Sequence, residues 1–234
     1  MRRIPILLAI AVVLVGSPAL SAERASLVRF GGAYVVPTGD ATTDGFFVED
    51  LGDGTRLEFQ GDLTIEPTEA VGLFLSYEYR LSPLLGVEAA LMSANHDVDG
   101  TLDGTLRLID NSDNSVLEEV SFSETATVGD ISVMPLTVGL NVHLLGDGAV
   151  DLYAGAMAGY VFFGDLELDL DGEDASASID DDFTFGAVAG LDFSLGERWI
   201  LGGAVRYLSV SAESEGDSLP VDPWVVQLHA GVRF

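Results

Sequence analysis

His96 and Asp97, with Ser93 just upstream, are the residues of this chain whose types could support acyl chemistry: a serine to attack, an imidazole to take its proton, a carboxylate to orient the ring. Their spacing argues against it. In an extended segment side chains alternate between faces, so Ser93 and His96 have opposite parity and point to opposite sides. No other serine sits in a Gly-x-Ser-x-Gly turn that would expose a nucleophile. An enzyme is therefore not expected, and a lipid-modifying hydrolase ranks last among the readings. His143 and His229 could ligate a metal, and they share a face with Asn141 and Gln227, but no third ligand stands at a fixed distance. Hydrogen-bonded histidines are expected there, not a metal site. Asp97-Val98-Asp99-Gly100 and Asp169-Leu170-Asp171-Gly172-Glu173-Asp174 carry carboxylates at alternate positions beside a glycine and resemble part of a calcium loop, yet neither runs through to a distal glutamate. Both are expected to be solvated loops that draw divalent cations diffusely. The absence of cysteine excludes disulfides and thiolate catalysis. No cofactor is expected.

The elements that must position these residues have a period of two. In VDPWVVQLHAGVRF, apolar Trp224, Val226, Leu228, Ala230, Val232 and Phe234 alternate with Gln227, His229, Gly231 and Arg233. A strand of this kind closing a chain is expected to be paired on both sides, as in a transmembrane β-barrel. At the other end, two arginines precede an apolar run from Ile4 to Val15 and small residues near Ser21 and Ala22. That is the pattern of a secretory signal peptide over 1–22, leaving 23–234 as one barrel domain.

The chain has no lysine and carries 38 acidic against 10 basic residues; without Arg2 and Arg3 its net charge moves from −28 to −30. Nucleic acid is excluded as a partner, because phosphate neutralisation needs basic side chains. Residues 38–65, 96–127, 164–181 and 212–222 hold 27 of the 38 acids and are expected to be loops. Between them lie eight alternating segments, at about 26–37, 66–80, 84–96, 128–144, 149–163, 182–195, 198–212 and 221–234. Short turns at Leu81-Ser82-Pro83, Leu145-Gly146-Asp147-Gly148 and Gly196-Glu197 alternate with the long acidic connections. The expected fold is all-β: an eight-stranded antiparallel up-and-down transmembrane barrel with short periplasmic turns and long extracellular loops, in the outer membrane of a Gram-negative bacterium.

One parity is lipid-facing: Val71, Leu73 and Leu75; Leu136, Val138 and Leu140; Phe183, Phe185 and Phe193. Aromatics gather at both strand ends, Tyr79, Phe193, Trp199 and Phe234 on the turn side and Tyr34, Tyr160, Phe162, Phe183, Tyr207 and Trp224 on the loop side, as two lipid interfaces require. The other parity is luminal and changes with depth. A polar floor is expected from Arg29, Glu78, Arg80, Glu88, Asn141, His143, Asp192, Gln227, His229 and Arg233, with Arg206 joining from mid-height. An apolar upper lumen is expected from Val35, Phe74, Met92, Val133, Val161, Phe163, Leu208 and Val225. Eight strands leave room only for their own side chains, so the floor is expected to be plugged.

Several runs carry a family resemblance: Asp222-Pro223-Trp224 with Ala230-Gly231-Val232-Arg233-Phe234; Arg29 with Gly31-Gly32-Ala33-Tyr34-Val35 and Pro37; Met134-Pro135-Leu136-Thr137; and Tyr153-Ala154-Gly155-Ala156 leading to Phe162-Phe163. In this order they resemble the OmpW family of small outer-membrane barrels, and they span most of the mature length. The long, acidic first and second loops fit that family only loosely. The resemblance implies a hydrophobic cavity open to the outside, blocked below, that passes small apolar molecules sideways into the membrane. Pro135 offers a weak point for that route, since proline cannot donate to a ladder; its alternative is a bulge without functional meaning. The expected partners are outer-membrane lipid and small hydrophobic solutes, and the chain is expected to be a monomer. The alternative function is a structural or adhesion barrel whose acidic loops contact partners.

Overall fold

The computed structural model describes residues 26–145, 148–170, 173–214 and 217–234, so the expected signal segment lies outside the described residues. In chain order the strands are β1 (Ser26–Val36), β2 (Ala41–Asp50), β3 (Thr55–Pro67), β4 (Ala70–Ser82), β5 (Leu85–Asp110), β6 (Val116–His143), β7 (Val150–Phe163), β8 (Leu166–Leu170), β9 (Glu173–Ala177), β10 (Asp182–Leu195), β11 (Trp199–Ser209), β12 (Ser211–Ser214), β13 (Asp217–Pro220) and β14 (Trp224–Arg233). Eight of them close a ring in the order β5-β4-β1-β14-β11-β10-β7-β6, and β6 pairs back onto β5. Every neighbour in the ring is antiparallel. Closure leaves no backbone edge at the depth where lipid could not satisfy it.

The terminal strand is paired on both sides, to β1 with Phe30 opposite Ala230 and to β11 with Leu201 opposite Ala230. Its outward parity is exposed and its inward parity buried, residue by residue from Trp224 to His229. Around the ring the outward side chains are bare: Val71 is 78% exposed, Leu73 76% and Leu228 74%. In water such a belt would drive association; here it is the lipid-facing surface of a barrel. At its loop-side margin the rings of Tyr207 and Trp224 stand 5.1 Å apart and those of Tyr160 and Phe162 5.2 Å apart.

The acidic segments correct the sequence reading. Residues 38–65 and 96–127 are not loops. β5 and β6, 26 and 28 residues long, run on beyond the ring, paired as far as Ile109 opposite Val116, and β3 and β2 add to the β5 side. The result is a four-stranded sheet that projects from the barrel on its long-connection side. β8 and β9 form a hairpin against β6, and β12 and β13 another, within segments also expected to be loops. Asp97–Gly100, expected as a solvated loop, is a stretch of β5 in which Asp99 accepts a bond from Thr127 Oγ1 at 2.7 Å. In the other calcium-like run Asp171 and Gly172 lie outside the described residues.

The acids misled because most of them occupy one face of a strand. Thr42, Thr64, Thr101 and Thr125 form one cross-strand row, with hydroxyl contacts of 3.0 Å and 2.9 Å, and Asp44, Asp62 and Asp103 form the next. Like charges facing each other destabilise a sheet. Asp62 shares a hydrogen bond with Asp44 and feels the charge of Asp44 and Asp103, which holds its carboxyl above the usual aspartate range. A carboxyl whose folded pKa is raised stabilises the fold as pH falls through that value, and the gain is lost as pH rises past it. Amide protection of β2 and β3, corrected for intrinsic exchange, should therefore be higher at mildly acidic than at neutral pH. Asp62→Asn should flatten that dependence; an unchanged profile would refute the assignment.

Candidate functional site

The luminal parity of the ring builds two layers. The lower layer is an ion-paired floor. Arg29 of β1 is wholly buried and donates from Nη1 to Glu78 of β4 at 2.7 Å and to Glu88 of β5 at 3.3 Å, and from Nη2 to Asp192 of β10 at 2.9 Å. Its guanidinium carbon lies 4.9 Å from the centre of the Tyr153 ring. His229 of β14 meets the other oxygen of Asp192 at 2.7 Å, and His143 of β6 stands between Glu78 at 2.8 Å and Asp151 of β7 at 3.0 Å. Arg80 joins Glu78 at 2.7 Å and also bonds Asp151; Arg206 of β11 bonds Glu88 and donates to Gln227 at 2.9 Å. Asn141 adds a donor to Glu88 at 3.1 Å. Charges this deep persist only when each has partners, and here they bond across the lumen from strand to strand.

Of the floor residues expected from sequence, Arg29, Glu78, Glu88, Asp192 and His229 are brought together. Arg233 is not. It is half-buried at the lower rim and donates to Ser194 Oγ at 2.9 Å, because the register of β14 carries it below the network. Asp151 and Tyr153 were missed, although the parity that placed Val161 inward on β7 places both of them inward too.

The upper layer is apolar. Val161, Phe163 and Leu208 belong to one buried cluster, and Val35, Phe74, Met92 and Val225 to a second. Between the clusters lies a cavity of about 130 Å³ lined by Val35, Met92, Val133, Val161, Phe163 and Leu208. Its size is near that of an engineered apolar cavity that takes up benzene, about 150 Å³. Phe74 corrects the sequence reading: it lies outside this cavity, at the boundary with the floor, where the Arg206 guanidinium carbon stands 5.0 Å from its ring centre. Parity fixes which face a residue takes but not its height. His96 is in the cavity wall, 3% exposed, with Nδ1 2.7 Å from Thr68 O. Ser93 is exposed on the opposite face, so the two cannot act on one substrate atom.

Four prolines, Pro37, Pro67, Pro135 and Pro223, also line the cavity. Pro135 matters most for the wall. The β5–β6 ladder is continuous from Leu85 opposite Val142 to Leu91 opposite Leu136, and resumes at Ala94 opposite Val133 in the same register. It lapses at Met92 and Ser93, where Met134 and Pro135 stand opposite; on its other side Pro135 pairs with Val161. A proline has no N–H to give to either neighbour, and the missing bond falls on the β5 side. A small void of about 10 Å³ at this level is lined by Pro135, Leu208 and also Leu91, a half-buried residue of the outward parity. The lumen thus reaches the wall where the wall is least bonded.

Comparison with known proteins agrees with this architecture. Residues 7–234 match the family model described as outer membrane protein beta-barrel domain. The chain is 26% identical over 193 residues to outer membrane protein W of Salmonella typhimurium, covering 74% of this chain and 85% of that protein, and equally so to outer membrane protein W of Salmonella typhi. The crystal structure of the outer membrane protein OprG from Pseudomonas aeruginosa superposes with a TM-score of 0.62 at 21% identity, over 91% of this chain and 96% of that one. A closed eight-stranded ring with a bare apolar belt, matched over nearly its whole length by this family, belongs to the outer membrane protein β-barrel domain family as an OmpW-like barrel of the Gram-negative outer membrane.

Proposed function

We propose that the barrel binds small hydrophobic molecules in its upper chamber and releases them sideways into the membrane, without chemical conversion. The observation that carries this reading is the stacking of an apolar cavity directly on an ion-paired floor, with the lapse in β5–β6 pairing at Met92 and Ser93 at the cavity's level. A solute entering from outside meets aliphatic and aromatic side chains and gains by leaving water. Axial passage would require parting the bonds Arg29 makes to Glu78, Glu88 and Asp192, which an apolar solute cannot replace. Lateral passage past Pro135 breaks fewer backbone bonds, and the lipid beyond is as apolar as the chamber.

The reading is tested by initial uptake of radiolabelled naphthalene in Gram-negative cells that depend on this protein for it. Val161→Asp with Leu208→Asp places charge in the chamber and should reduce uptake to the level of cells without the protein. Leu208→Trp fills the cavity without charge and should do the same. If both barrels reach the membrane folded and uptake stays at the native rate, the chamber is not the binding site.

A further inference from the structure

The projecting sheet has two unlike faces. The parity that turns Met92, Ala94, His96 and Val98 into the cavity continues along β5 through Gly100, Leu102, Gly104, Leu106 and Leu108, without a break in the pairing with β3. On this face Ile65, which lines the cavity, is followed outward by Leu63 with Leu102 and then by Phe59 with Leu106. The face is therefore an apolar track that begins in the chamber and ends in solvent, where Phe47 is 47% exposed and Val120 50%.

The track carries an aromatic platform. The rings of Phe47 and Phe59 stack at 5.2 Å and 22°, and those of Phe59 and Phe122 at 6.2 Å and 27°. They lie flat on the sheet because two neighbouring positions are glycine. A Cβ at Gly61 would come within 2.7 Å of the Phe59 ring, and one at Gly104 within 2.6 Å of Phe59 and 2.9 Å of Phe122. Flat rings present their negative π faces outward, which suits a cation or another aromatic ring. Acids flank the same face: Glu49 and Glu118 end the row that contains Leu57 and Leu108, and Glu124 ends the row of Leu63 and Leu102. Arg56 and Arg107, the sheet's two arginines, are on the other face, bonded to Glu58 at 2.8 Å and to Glu119 at 2.6 Å.

We infer that the platform of Phe47, Phe59 and Phe122, rimmed by Glu49, Glu118 and Glu124, is a binding site for lipophilic organic cations with an aryl or alkyl tail. The rings hold the cationic head and the carboxylates select its sign, while Leu63, Leu102 and Ile65 take the tail toward the chamber. Organic anions of the same shape are repelled. Capture stands on this face alone; only the onward route of the ligand rests on the chamber reading.

The test uses the full chain in nanodiscs of zwitterionic lipid, with empty discs as the blank, and equilibrium dialysis of 4-phenylbutyltrimethylammonium against 4-phenylbutanesulfonate. The cation should bind about tenfold more tightly, since an exposed cation–π contact is worth up to about fivefold and the three carboxylates add attraction for the cation and repulsion of the anion. Glu49→Gln, Glu118→Gln and Glu124→Gln together, which leave the rings in place, should reduce the preference to what the rings alone supply. Phe59→Leu with Phe122→Leu should weaken the cation while leaving the neutral 4-phenylbutanol unchanged. Equal binding of cation and anion by the native chain, or a preference that survives both sets of changes, overturns the inference. So does cation binding lost in the Leu208→Asp chamber variant but kept in the platform variants. Cation preference intact in a chain whose naphthalene uptake ignores Leu208→Asp would instead refute the chamber reading alone.

Discussion

Arg29→Ala should destabilise the barrel by about 3–5 kcal/mol, the cost of removing one partner from a buried ionic network. Arg29 is wholly buried and, among the described residues, is the only guanidinium that bonds carboxylates of three different strands, Glu78, Glu88 and Asp192. Its loss is unevenly felt. Glu78 retains Arg80 and His143, and Glu88 retains Arg206 and Asn141, but Asp192 keeps only His229 among these side chains. Asp192→Asn in the Arg29→Ala background should therefore recover about half of the loss, because the two residues share one interaction and their effects are not additive. Urea unfolding in lipid vesicles, read by the mobility of unheated protein on gels, measures both. Additive losses would mean that Arg29 and Asp192 do not act as a pair.

A covalent bond across the β5–β6 lapse should stop uptake altogether. Ser93 and Met134 face each other there, between the pairs Leu91–Leu136 and Ala94–Val133, and the chain has no cysteine of its own. Directly opposed antiparallel positions are close enough for a disulfide after small adjustment. With Ser93→Cys and Met134→Cys, oxidised cells should lose naphthalene uptake and regain it on reduction. A matched pair at Ala187 and Ala156, opposed in the β7–β10 ladder, should form the same bond without effect. Uptake unchanged by the β5–β6 bond would place the exit elsewhere.

Much of this was legible in the residues, because a closed barrel imposes one rule on every strand. The parity of Gln227 and His229 put them inside, and the same rule carried Arg29, Glu78, Glu88 and Asp192 to one layer. Two things were not legible. Height along the barrel depends on register, which the sequence does not print, so Phe74 was placed too high and Arg233 too close to the network. The extent of the strands was hidden as well. In β2, β3 and the outer parts of β5 and β6, most acids and threonines take one face while Phe59, Leu63, Leu102 and Leu106 take the other. A count of acids over such a window reads as a solvated loop, although the alternation was present. The ladder's lapse could be anticipated from Pro135 alone, but its coincidence with the cavity depends on the register of three strands.

The most direct measurement of the central claim is where an apolar solute sits in the protein. Crystals of the barrel soaked in 1-bromonaphthalene, with the bromine located by its anomalous scattering, answer this without reference to transport. The account predicts a peak inside the upper lumen, among Met92, Val161 and Leu208 and above Arg206. Bromine confined to the outer, lipid-facing surface, with the cavity occupied by nothing or by water alone, would contradict it.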